Sequence, residues 1–95
     1  MPSLRFTWDL AKARSNLVKH GVAFETAATI FDGRTVELPD DRFNYGEEHW
    51  VAIGLANDRE LTVVYTVTDD DRFRLISARG ATTKERRLYW KSVGR

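Results

Sequence analysis

The chain has 95 residues, of which 42% are hydrophobic and 31% charged, and this predicts one small globular domain over residues 1–95 rather than a disordered chain. The absence of cysteine excludes disulfides, thiolate metal sites and cysteine nucleophiles, and two histidines argue against a histidine-rich zinc site. No apolar run approaches the ~20 residues of a membrane span, and the first ten residues lack the apolar stretch of a signal peptide. We therefore expect a cytoplasmic protein with no membrane segment and no bound metal or cofactor.

The net charge of +1 hides a strong asymmetry along the chain. Residues 1–30 carry a net charge of +2, residues 31–71 carry −8, and residues 72–95 carry +7. A basic C-terminal quarter could form a phosphate-binding face, because lysine and arginine neutralise phosphates. It could equally be a solvated helix face followed by a charged tail.

The N-terminal third has the periodicity of two helices. A short strand over Leu4–Trp8 precedes Asp9, which stands where a helix N-cap would, and Gly21 is a natural stop for that helix. Leu10, Ala13 and Leu17 fall on one predicted apolar stripe. The spacing of apolar residues from 24 to 31 predicts a second short helix, which ends at residues 32–33.

The remaining sequence predicts strands and a last helix. Alternating apolar residues indicate strands over residues 35–38, 49–55, 61–68 and 72–78, and short turns between them favour an antiparallel meander. Thr82 and Glu85 have the spacing of a capping box, which predicts a helix over residues 83–92. Leu88 is its best predicted core contact, with Tyr89 or Trp90 as a second. The fold class is α+β: two N-terminal helices, a sheet, and a C-terminal helix.

The last strand places several cations near the sheet surface. Arg72 and Arg74 have outward parity, whereas Arg79 shares the parity of Phe73 and Leu75 and would point at the core. A buried arginine requires partners, so Arg79 is either ion-paired or placed at the sheet end for a substrate. The run of three aspartates at 69–71 is typical of a hairpin turn rather than a metal site.

Cleavage of RNA without a metal requires a base, an acid and cations that stabilise charge on phosphorus. The chain offers candidates for each role. Phosphate could be held by Arg72, Arg74 and Arg79; protons could be moved by Lys19, His20, Glu47, Glu48 and His49; and a hydrogen bond or a stacking surface could come from Tyr45 or Tyr65. Structural roles compete: His20 suits a helix C-terminus, Tyr65 suits a strand core, and Glu47 suits the entry to a strand.

A series of motifs runs in order along nearly the whole length of the chain: Phe6–Asp9, Lys12, Asn16, Lys19–Val22, Phe24, Glu25, Ala27, Phe31, Asp41, Arg42, Tyr45–Glu47, Gly54, Leu55, Val63–Thr66, Leu75–Arg79, Ala81, Glu85, Arg86 and Tyr89. In order and spacing these motifs resemble the BrnT family of small toxins from bacterial type II toxin–antitoxin systems. Any one piece would be a weak signal, but the ordered set is specific.

The resemblance implies a RelE-like fold and a metal-independent ribonuclease that blocks translation. It implies a ribbon-helix-helix antitoxin as partner, through which the complex would contact promoter DNA. Carried over by position, Arg79 would stabilise transition-state charge, Glu47 or His20 would move protons, Lys19 and Arg74 would contact phosphate, and Tyr65 matches a further motif position.

The sequence also departs from the usual pattern of the family. His49, Thr68 and Gly80 stand where lysine or arginine is common in the family. Three positive charges near the expected site are therefore lost or, at His49, weakened. His49 could compensate as a proton carrier or RNA contact. The alternative is therefore a weakly active or inactive toxin-fold module that acts as corepressor in a DNA-bound toxin–antitoxin complex.

Overall fold

The computed structural model of the protein describes residues 5–40 and 47–94. A short 3₁₀ turn (Thr29–Asp32) accompanies three helices and five strands: β1 (Phe6–Thr7), α1 (Leu10–His20), α2 (Phe24–Ala28), β2 (Val36–Pro39), β3 (Trp50–Ala56), β4 (Arg59–Val67), β5 (Phe73–Gly80) and α3 (Thr83–Ser92). The predicted α+β class is confirmed, and α3 has the bounds that its capping box predicted.

The five strands form one mixed sheet in the order β1-β5-β4-β3-β2. β2 to β5 pair antiparallel, as predicted, but β1 lies parallel to β5, with Phe6 beside Phe73. The expectation of a purely antiparallel sheet was therefore wrong. Short turns constrain only neighbouring strands, whereas β1 reaches β5 after most of the chain has intervened.

The first helix is positioned by a polar side chain rather than by its apolar stripe. Leu10 and Leu17 are 66% and 51% exposed, while Asn16 is buried. The Asn16 amide donates to the carbonyls of Val22 (2.9 Å) and Ala78 (2.8 Å) and accepts from the Ala78 N–H (3.0 Å). These bonds fix the rotation of α1 against β5, so that Ala13 of the predicted stripe packs against the core while Leu10 and Leu17 do not.

A β-bulge in β5 changes which side of the sheet its C-terminal half presents. Val64 pairs with Ser77 and Tyr65 pairs with Leu75, so Ile76 is an extra residue. Ala78 thereby joins Leu75 in the core, and Arg79 turns to the opposite side. The expectation that Arg79 points at the core failed because alternation was counted without this inserted residue.

The sheet has two unequal faces. The inner face packs against α1, α2 and the 3₁₀ turn, and its core includes Phe24, Ile30, Leu61, Val63, Tyr65 and Leu75. The outer face carries Arg74 and Arg79, and within residues 5–40 and 47–94 the helix that packs on it is α3, which covers part of it. Tyr89, not Leu88, is the main core contact of α3: Tyr89 is buried beside Ile53 and Ala81, whereas Leu88 is 37% exposed.

None of the helices in the described ranges is long and apolar enough to cross a membrane.

Candidate active site

Three side chains meet on the outer face of the sheet. Two of them, Glu47 and His49, come from the segment just before β3, and the third, Arg74, comes from β5 on the other side of β4. The Glu47 carboxylate accepts two hydrogen bonds from Nη2 of Arg74, at 3.0 and 2.9 Å. Its Oε1 atom also lies 2.9 Å from Nε2 of His49. A single carboxylate thus contacts an imidazole and a guanidinium, all three of which were candidates from the sequence.

Sheet register brings these residues together. Arg74 of β5 lies opposite Thr66 of β4, and the Thr66 hydroxyl donates to the Glu48 carbonyl (2.6 Å), which ties the segment before β3 to the sheet. The His49 carbonyl accepts from the Asp40 N–H (2.8 Å), which extends the pairing of β2 and β3 by one residue. The two residues that follow Glu47 are therefore tied to β4 and to the end of β2, and this positions Glu47 over Arg74.

The cluster borders an open cleft of about 360 Å³. The cleft is lined by Glu47, Glu48, Trp50, Thr66, Val67, Thr68, Asp69 and Arg74. Glu47 and Arg74 are about two-fifths exposed, while the His49 side chain is only 9% exposed. A ligand in this cleft can reach both members of the ion pair, and the imidazole lies behind them.

The electrostatics of the cluster keep its carboxylate ionised. The hydrogen bond from His49, followed by the charge and hydrogen bonds of Arg74, lowers the pKa of Glu47 below its ordinary value. An ionised carboxylate can accept a proton, a histidine can donate one, and an arginine can stabilise a phosphate. The arrangement therefore combines the groups that phosphodiester cleavage needs.

Arg79 lies on the same face but in a different environment. Its guanidinium forms a two-pronged ion pair with Glu85, at 2.8 and 2.9 Å. Glu85 also accepts from the Thr82 N–H (2.8 Å) as part of the capping box of α3, and from the Thr62 hydroxyl (2.9 Å). The bonds from Arg79, and then those from the Thr82 N–H and Thr62, lower the pKa of Glu85 to about 2.

Three other candidates lie apart from the cluster. Lys19 and His20 are exposed in the last turn of α1, which packs on the inner face. Tyr65 is buried on the inner face, where its hydroxyl donates to Glu37, and burial together with that bond raises its pKa. The structure therefore does not place these three with Glu47.

Arg72 lies immediately before β5, beside Phe6 and Asp70, and it does not line the cleft. One terminal nitrogen is 3.4 Å from the Phe6 carbonyl and the other 3.9 Å from Asp70. Its Nε is buried with no hydrogen-bond partner among the described residues. Tyr45, a further sequence candidate, lies outside the described residues.

Sequence reasoning missed two residues that organise this face. Besides matching the family pattern, Glu85 was assigned to the helix cap, although its capping-box position already placed a carboxylate near the end of β5. Thr66, which also matches that pattern, was interpreted as an alternating strand residue. No local signal identifies its bond to Glu48, because that contact depends on the three-dimensional path of the segment before β3.

A small α+β protein with a carboxylate, imidazole and guanidinium beside an open cleft is suited to acid–base chemistry on a phosphodiester. Comparison with known families agrees with this class. Residues 8–85 match the family described as "Ribonuclease toxin, BrnT, of type II toxin-antitoxin system". The chain therefore belongs to the BrnT family of ribonuclease toxins, and a type II system supplies an antitoxin partner and an RNA target.

Among solved structures, the chain is similar to the ribonuclease toxin BrnT of Brucella abortus, whose crystal structure was determined at 1.1 Å resolution. The two share 20% sequence identity with a TM-score of 0.62, over 85% of this chain and 100% of that chain. At this level of identity the likeness shows a common fold. None of the curated proteins compared with the chain matches it.

Proposed function

We propose that the protein is a metal-independent endoribonuclease toxin whose reaction is carried by Glu47, His49 and Arg74. The observation that supports this most strongly is the contact of one ionised carboxylate with both an imidazole and a guanidinium at the mouth of an open cleft. Membership in a ribonuclease family supplies the substrate class, and the cluster supplies groups that need no metal.

In the proposed reaction the Glu47 carboxylate takes the proton of a ribose 2′-hydroxyl. The 2′-oxygen attacks the adjacent phosphorus, and the bond from phosphorus to the 5′-oxygen of the next nucleotide breaks. A proton reaches that leaving oxygen from His49 through the carboxyl group of Glu47, to which the imidazole is hydrogen-bonded. Arg74 stabilises the negative charge that builds on the phosphoryl oxygens. The products are a 2′,3′-cyclic phosphate and a 5′-hydroxyl end.

The candidates outside the cluster have no chemical step in this proposal. Lys19 and His20 lie on a helix of the inner face, Tyr65 is buried there, and the guanidinium of Arg79 is held by Glu85. Arg72 lies immediately before the strand that carries Arg74, and it remains a candidate contact for RNA beyond the scissile phosphate.

The biological setting follows from the family. We propose that the toxin acts in the cytoplasm, inhibits translation by cutting RNA, and is neutralised by a ribbon-helix-helix antitoxin that makes the DNA contacts of the complex. The RelE-like assignment of the fold remains a prediction. The −8 charge of residues 31–71 is in keeping with a toxin that leaves most DNA contacts to its partner.

The test is RNA cleavage by purified, antitoxin-free protein in excess EDTA. We expect cyclic-phosphate ends, and we expect Glu47→Gln to lower the rate by about 100-fold or more, in the range of a lost general base. Glu48→Gln is the matched control, since Glu48 lines the same cleft but its carboxylate forms no hydrogen bond or ion pair with another described residue. A requirement for a divalent metal, or equal rates for the two variants, would contradict the mechanism.

A further inference from the structure

A second concave region lies on the outer face, between α3 and the edge of the sheet formed by β2 and β3. This groove has a volume of about 320 Å³. Leu38 of β2 and Leu88 of α3 line it and are 41% and 37% exposed, with Pro39, Val51 and Ile53 completing an apolar surface. Large side chains of this kind, gathered in one groove, mark an interaction site more often than scattered ones do.

The α3 side of the groove carries charge. Lys84 lines the groove, together with the Arg79–Glu85 ion pair and Thr82. Arg87 and Lys91 do not line it, but their spacing of three and four residues places them on one stripe of α3 with Lys84 and Leu88. All four are exposed, and the three cations form no ion pair with any residue in the described ranges. The one acidic residue of α3, Glu85, is already paired with Arg79. This stripe of α3 therefore presents unpaired positive charge, with Lys84 inside the apolar groove and Arg87 and Lys91 beside it.

From this combination we propose that the antitoxin docks here with an amphipathic helix, whose apolar side chains fill the groove and whose carboxylates face Lys84, Arg87 and Lys91. This inference rests on the proposed function, because it assumes that the partner of the toxin is a neutralising protein. The helix would lie beside α3 and cover the part of the outer face that α3 leaves open.

The sheet edge favours a helix over an added strand. The Asp40 N–H bonds to the His49 carbonyl, so in the alternating antiparallel pattern Leu38 and Val36 also direct their backbone groups toward β3. The outward positions are then Glu37 and Pro39. Proline has no N–H to donate, so an incoming strand would find few partners along this edge.

The apolar lining favours a protein over RNA as the occupant. Phosphates would satisfy the cations of α3 but would leave Leu38 and Leu88 in contact with water. An acidic amphipathic helix satisfies the cations and covers the leucines together.

The experiment measures the affinity of the cognate antitoxin for toxin variants by isothermal titration calorimetry. We expect Leu88→Glu to weaken binding by about 30-fold or more, as for loss of a central apolar anchor. We expect Lys84→Glu to weaken it by about 5-fold, with the difference fading as salt is raised. Both residues are exposed, so both variants should fold, and circular dichroism checks this.

Leu10→Glu and Val18→Glu are matched controls, because they place the same charge on exposed apolar positions of α1 across the sheet. We expect these controls to bind antitoxin like the wild type. The docking site is wrong if Leu88→Glu binds normally, or if the α1 variants are the ones that lose affinity. It is also wrong if Lys84→Glu weakens binding of an RNA oligonucleotide while antitoxin affinity stays unchanged, since the stripe would then contact RNA.

Ribonuclease activity separates this inference from the function on which it rests. Antitoxin-free Leu88→Glu should cleave RNA at the wild-type rate and resist inhibition by antitoxin. If the wild type cleaves no RNA but Leu88→Glu still loses antitoxin affinity, the ribonuclease proposal fails and the docking site stands. If RNA is cleaved but antitoxin inhibits both proteins equally, the docking site fails alone.

Discussion

Arg74 and Arg79 lie on the same face of the same strand, and each forms a two-pronged ion pair with a glutamate. The two glutamates differ in their other hydrogen bonds. Glu85 also caps α3 and accepts from Thr62, whereas Glu47 precedes a strand and contacts only His49 besides Arg74 among the described residues. Among the described residues, Glu85 is thus occupied by structural contacts, and for this reason we assign the proposed chemistry to Glu47 and Arg74.

The largest expected difference between the two arginines is in catalysis. Arg74→Ala should lower the RNA cleavage rate per folded molecule by about 10²- to 10³-fold, because a charge-stabilising donor is lost from the transition state. Arg79→Ala should leave that rate within about 3-fold of the wild type, in the range of a group that makes no contact in the transition state. Single-turnover kinetics with a defined RNA measures both. Equal losses would place Arg79 in the active site and would contradict the proposed difference between the two ion pairs.

A second difference concerns the neighbours of the two carboxylates. His49→Gln should lower the cleavage rate by about 100-fold, because glutamine can donate a hydrogen bond to Glu47 but cannot transfer a proton at neutral pH. Thr62→Val, which removes the neighbour of Glu85, is the corresponding control and should leave the rate unchanged. If His49→Gln retains wild-type activity, the imidazole only orients Glu47 and another group supplies the proton.

In stability the order of the two arginines reverses. Arg79→Ala should lower the free energy of unfolding by about 2 kcal/mol, because it leaves a half-buried carboxylate without its cation. Arg74→Ala should change it by less than about 0.5 kcal/mol, since exposed ion pairs contribute little. Urea titration of the purified variants measures both values. A larger loss for Arg74 would show that the cleft, not the helix cap, stabilises this face.

The smallest expected effect is the pH dependence of the stabilisation that the Arg79–Glu85 ion pair contributes. The pKa of Glu85 is lowered to about 2, so its contribution is present above the ordinary pKa of 4.5 and is lost as the pH falls from there toward 2. Glu85→Gln keeps a capping hydrogen bond but removes the charge, and should cost about 1 kcal/mol at pH 7. The gap to the wild type should narrow as the pH falls from 4.5 toward 2. A gap that stays constant with pH would mean that the charge of Glu85 contributes nothing.

Local patterns in the sequence were sufficient for most of the elements but not for how they combine. The capping box gave the bounds of α3, and alternation located β2 to β5 within a few residues. The bulge at Ile76 and the burial of Asn16 depend on partner strands that are distant in sequence, so neither periodicity nor composition reveals them. The bulge decides which face of the sheet carries Arg79, and the burial of Asn16 decides how α1 packs on β5.

The candidate site was foreseeable residue by residue but not as a group. Glu47, His49 and Arg74 were each named for the chemistry of their side chains, together with several residues that lie elsewhere. What selects these three is the register between Arg74 and Thr66 and the bond from Thr66 to Glu48. Both are long-range contacts, and one sequence without its fold cannot supply them.

Pro39 has a consequence for how the free toxin behaves in solution. The edge strand of an open sheet can pair with a strand of another molecule. Copies of the toxin that paired edge to edge after release from the antitoxin would aggregate and no longer act on RNA. β1 has only two residues, and β2 ends at a proline that cannot donate to a neighbour. We therefore expect the liberated protein to resist fibre formation and to remain available to its RNA target.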